Sequence, residues 1–76
     1  MRRVGTVTRV AQRLAVARPG EGDEPPSIGA SVVDEDLRTV GRVVDVFGPV
    51  ARPYVAVSPD EGVAAADLLG RKLYAR

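Results

Sequence analysis

The sequence contains no cysteine, no histidine and no tryptophan, and its aromatic residues are limited to Phe47, Tyr54 and Tyr74. Without Cys or His there is no disulfide, no thiolate nucleophile, no imidazole base and no ordinary zinc or copper site, which removes most catalytic chemistry. With so few aromatics, base stacking is not the main mode by which a sheet of this chain would bind RNA. Long apolar runs are also missing. The stretches at 43–44 and 54–57 fall far short of the roughly 18–20 residues a membrane span requires. Arg9 and Arg13 interrupt the apolar core that a signal peptide would need after Met1-Arg2-Arg3. These absences predict a cytoplasmic protein with no membrane association. An excess of one charge is lacking too: 11 basic residues stand against 10 acidic ones, too weak a field for non-specific nucleic-acid binding. Local basic patches are left, at Arg2, Arg3, Arg9 and Arg13 and at Arg71, Lys72 and Arg76.

What is present favours short strands. Of the 76 residues 14 are Val and only 5 are Leu, while 8 Gly and 6 Pro divide the chain into short pieces. β-Branched side chains fit a pleated surface and are stiff in helices. The pattern predicts a single domain over 1–76 with strands near 4–8, 14–18, 31–33, 40–47, 53–57 and 72–75. A turn is expected at 10–13, and a loop or single helical turn at 61–67. The segment 19–27, rich in Pro, Gly and acids, reads as a flexible, dispensable surface loop. Six short strands with turns every 8–12 residues point to an all-β fold, a small closed or nearly closed six-stranded β-barrel, which also removes exposed sheet edges. One feature departs from a plain barrel. A wall facing water should alternate apolar and polar residues, yet Val43-Val44 and Tyr54-Val55-Ala56-Val57 are apolar on both faces. Part of the outward side is therefore expected to be covered, by the chain's own loops or by another protein.

Asp34-Glu35-Asp36 is explained as a hairpin tip, because Asp side chains bond nearby backbone amides and tolerate turn geometry. A metal site there would need several converging oxygen ligands, and no Asp/Asn spacing of a calcium loop occurs. Phosphate-binding Gly-rich loops are absent, and a barrel this small has no cleft between its walls for paired-carboxylate catalysis. The expectation is a protein that is not an enzyme and holds no cofactor.

The run Val40-Gly41-Arg42-Val43-Val44-Asp45-Val46-Phe47-Gly48-Pro49-Val50, followed two residues on by Pro53-Tyr54-Val55-Ala56-Val57, closely resembles the Gar family of the archaeal H/ACA ribonucleoprotein. Ile28-Gly29 followed by Val33-Asp34, and Leu69-Gly70-Arg71-Lys72-Leu73-Tyr74, resemble that family's flanking strands. The Gly/Arg-rich tails of eukaryotic members are missing. The resemblance implies a non-catalytic subunit that binds the catalytic domain of a dyskerin-type pseudouridine synthase, meeting guide and substrate RNA through the complex. Such a subunit promotes substrate RNA loading and product release in guided pseudouridylation of ribosomal RNA. On this resemblance the partner-binding residues are Phe47, Gly48, Pro49, Val50, Pro53, Tyr54 and Val55, with Phe47 alternatively a core side chain and Gly48-Pro49 alternatively only a turn. Two other readings stay open. A free-standing RNA-binding barrel would bind RNA with steep salt dependence. An adaptor barrel of the photosynthetic-reaction-centre type would account for 40–46 but not for 47–54.

Overall fold

A computed structural model describes residues 2–20 and 23–76. Six strands close into one antiparallel barrel in the order β1-β2-β5-β4-β3-β6. They are β1 (Arg2–Ala11), β2 (Leu14–Arg18), β3 (Ser31–Val33), β4 (Thr39–Phe47), β5 (Tyr54–Pro59) and β6 (Lys72–Ala75). A 3₁₀ turn at Ala65–Leu68 buries Leu68 and Ala65 against the barrel. Among the described residues no helix is long and apolar enough to cross a membrane.

Two strands are long enough to serve both sides of the closed sheet. β1 pairs with β6 through its first half and with β2 through its second, and β4 pairs with β3 and β5 in the same divided way. Each carries irregularities in register, between Arg3 and Gly5 and between Val7 and Arg9 in β1, and between Val43 and Asp45 in β4. Such an extra residue bends a strand and increases its twist, which lets a short sheet curl to closure. At two positions the walls come too close for any side chain. A Cβ on Gly5, whose φ is +129°, would meet the Arg18 carbonyl, and one on Gly41 would meet the Ser58 carbonyl.

The interior is a set of β-branched and small side chains: Val4, Val7, Ala15, Ala17, Val32, Val43, Val55, Val57 and Leu73 are all fully buried within one cluster. Val43 faces inward as alternation requires, whereas Val44 falls at the register shift and is 41% exposed. Among the described residues no loop of the chain buries it, which leaves another protein as the cover that the double-faced apolar runs would call for. Ala56 also lies outside the core cluster, yet it is buried.

The first hairpin is longer and tighter than its sequence suggests. β1 continues to Ala11, and Gln12 and Arg13 alone make the turn, with φ of 51° and 66°. Two positive φ values define the primed turn that matches strand twist. Of the expected loop at 19–27, Glu21 and Gly22 lie outside the described residues. On its flanks Pro19 and Pro26 are buried, and Gly20 and Asp23 exchange hydrogen bonds: Asp23 N–H donates to the Gly20 carbonyl and Gly20 N–H to Asp23 Oδ2, both at 3.1 Å.

The acidic triplet is a hairpin tip with a structural hub. Asp34 is buried, and its Oδ1 accepts the N–H groups of Asp36 (2.8 Å) and Arg38 (3.0 Å). Its Oδ2 lies 3.6 Å from the Arg71 guanidinium. That carboxylate is committed to the turn and to the approach of β6. No group of three or more metal-ligating side chains occurs among the described residues.

Candidate functional site: an aromatic outer face

On the outside of β2, β5 and β4 three side chains line up across the strands. Phe47 and Tyr54 are direct cross-strand partners, and their rings stack with centroids 5.6 Å apart at 27°. The Arg18 guanidinium carbon stands 5.4 Å from the Tyr54 centroid, within the reach of a cation–π contact. Both aromatic side chains are half-buried and belong to the outer face, not to the interior cluster. The reading of Phe47 as a core residue is thereby set aside.

The turn that follows is built beneath Tyr54. Gly48 has the positive φ expected of it, +93°, and an added Cβ would lie 3.0 Å from Tyr54 Cδ2, so the glycine backbone packs against the ring edge. Arg52 N–H donates to the Pro49 carbonyl at 3.2 Å, closing the turn, and Arg52 Nε–H donates to the Pro19 carbonyl at 3.5 Å. Gly48, Pro49 and Val50 are exposed, and Val50 is wholly so at 100%. Pro53 is buried and fixes the re-entry of the chain. The expectation for Val55 is corrected: it is fully buried in the barrel interior, because alternation along β5 turns it inward when Tyr54 and Ala56 face out. Val55 has no surface to give a partner.

Beside the aromatic pair lies a shallow groove of about 280 Å³. Val16 and Ala56, register partners on β2 and β5, form its floor, and Arg9, Gln12, Asp45 and Phe47 stand around it. No local signal in the sequence assigns Arg18, Arg9, Val16 and Asp45 to this face. The available signal was the apolar character of both faces of β5, but which residues lie beside Ala56 follows from pairing between distant strands.

Stacked rings, an apolar floor and guanidinium groups at the edge offer the chemistry of recognition. The class these features define is a small β-barrel binding module. A family model described as the Gar1/Naf1 RNA binding region matches residues 1–76. The chain belongs to that family, and membership supports an RNA-binding, H/ACA-related role. It is also similar to an uncharacterized protein of Methanothermobacter thermautotrophicus, 27% identical over 63 residues, a match covering 83% of this chain and 66% of the relative. A second similarity, 42% identity over 38 residues, is to an uncharacterized protein of Methanocaldococcus jannaschii and covers 50% of this chain and 46% of that one. The matched stretches thus span about two thirds and about half the length of these curated relatives.

Proposed function

We propose that the chain is a non-catalytic subunit of an archaeal H/ACA ribonucleoprotein that docks on the catalytic domain of a dyskerin-type pseudouridine synthase. The observation that carries this reading is the Phe47–Tyr54 stack beside an exposed apolar turn. A stacked aromatic pair left half-buried on the outer surface is the kind of feature that dominates binding energy in protein interfaces. The docking residues are Phe47, Tyr54, Gly48, Pro49 and Val50, and Arg18 joins them through its place over Tyr54. Pro53 acts from beneath by holding the turn.

Docking of this kind changes rate through populations. If a mobile segment of the synthase limits loading of substrate RNA and release of product, a partner that binds the open state better raises turnover without touching the chemical step. The test is a pseudouridylation assay on guide-matched RNA with synthase, guide RNA and this chain combined or omitted. Adding the chain is expected to raise the multiple-turnover rate and to change single-turnover rates less, while the chain alone forms no product. Product made by the chain alone, or no binding to the synthase, would sink the proposal.

A further inference from the structure

The two basic segments at the start and end of the sequence are far apart in the chain, and barrel closure brings them together. β1 and β6 pair antiparallel with Arg2 opposite Ala75, Arg3 opposite Tyr74 and Thr6 opposite Lys72. Along β6, Leu73 and Ala75 are buried in the interior cluster, so Lys72 and Tyr74 face outward. Arg3, across the strand from Tyr74, is exposed as well. Neither strand contains an Asp or Glu, and among the described residues Arg3 and Lys72 have no ion-pair partner. At the adjoining end of the barrel Arg2 and Arg76 line an open recess together with Ser27, Ala30 and Ala75, and the exposed Arg76 guanidinium also donates to the Leu37 carbonyl at 3.5 Å. Arg2 also lies 3.8 Å from Glu24, a pair exposed on both sides and therefore readily exchanged for another anion.

We propose that this seam between β1 and β6 is a contact surface for single-stranded RNA, with Arg3 and Lys72 on the outer wall and Arg2 and Arg76 at the adjoining end holding successive phosphates. Tyr74, half-buried and paired with Arg3, is the one aromatic residue of the two strands, so contact with the backbone predominates and sequence selectivity is low. The inference rests on the RNA-binding reading of the family and adds where on the barrel the RNA lies. In the barrel order the seam stands opposite β4 and β5, so RNA here leaves the Phe47–Tyr54 face free for a protein.

The test compares two variants that lower net charge equally. Arg3→Gln/Lys72→Gln removes two positive charges at the seam, and Arg42→Glu makes the same net change at an exposed position on β4. All three sites are exposed, and thermal unfolding of each protein checks that the fold is kept. Binding of a fluorescein-labelled 12-nucleotide oligouridylate to the whole chain is followed by anisotropy across a salt series. Four phosphate contacts predict a log–log salt slope near −2.8 for the unaltered chain, reduced by about 1.4 in the seam variant. The seam variant is expected to bind tenfold or more weakly, and Arg42→Glu within about twofold of the unaltered chain. Equal losses in both variants would overturn the placement while leaving RNA binding itself intact. No salt-dependent binding by the unaltered chain would overturn the RNA contact altogether. Synthase affinity, measured on the same proteins, is expected to be unchanged in the seam variant, so failure of synthase docking registers separately from failure of this inference.

Discussion

Tyr54 and Asp34 are the side chains whose roles separate most cleanly by substitution. Tyr54 stacks on Phe47, lies under Arg18 and packs against Gly48, yet remains half-buried on the outer face. Tyr54→Ala is therefore expected to weaken synthase binding by about 2 kcal/mol, roughly thirtyfold, with a smaller loss of fold stability than a core truncation brings. Calorimetric affinity and a thermal melt on the same variant check this; a strongly destabilised protein that still binds normally at low temperature would remove Tyr54 from the docking face. Asp34 works inward. Its carboxylate holds two backbone N–H groups of the β3–β4 turn and meets Arg71. Hydrogen bonds to a charged acceptor contribute more than neutral ones, so Asp34→Ala is expected to destabilise the fold by ~2–3 kcal/mol. Asp34→Asn keeps an Oδ1 acceptor and should lose less, which urea unfolding of the two variants will show.

Among the elements, the β1–β2 hairpin carries local strain. Gln12 and Arg13 both occupy positive φ, a region that disfavours side chains other than Asn, Asp and Gly. Gln12→Asn/Arg13→Gly supplies the residues this turn prefers and is expected to stabilise the protein by about 1 kcal/mol, visible as a higher urea midpoint with unchanged slope. This turn also shows where the sequence misleads. A Gln-Arg pair is no turn signal, so the turn is assigned to 10–13 and β1 is cut short, whereas β2, β3 and β6, bounded by Pro, Gly and the acidic tip, have the bounds that local chemistry implies. Gly48 likewise follows from its neighbours, since a glycine before proline between two strands is suited to a positive φ. The groove floored by Val16 and Ala56, the seating of Arg18 over Tyr54 and the inward turn of Val55 depend on which distant strands pair and in which register. A one-residue slip exchanges the faces of a strand, and no local pattern fixes the pairing of β2 with β5. Motif resemblance along 40–57 identified the region of the candidate site; only the register distinguishes its outward residues from those beneath.

At the scale of the whole molecule, closure has a kinetic consequence. The partners across the β1–β6 seam, Arg2 with Ala75 and Arg3 with Tyr74, come from nearly opposite ends of the sequence, while β4 and β5 meet across a short turn. Ordering the intervening chain weighs more heavily as the enclosed loop lengthens, and non-local pairs slow folding. The seam is thus expected to form last, after the hairpins have laid down most of the wall, and to part first when the native state fluctuates. Native-state hydrogen exchange should find weaker protection at the amides bridging β1 and β6 than at those joining Val43 to Val57 and Val46 to Val55; uniform protection would mean that the ring opens only by unfolding altogether. The clasp of the ring is made from its first and last strands, so the lifetime of the closed circle is set where those two strands meet.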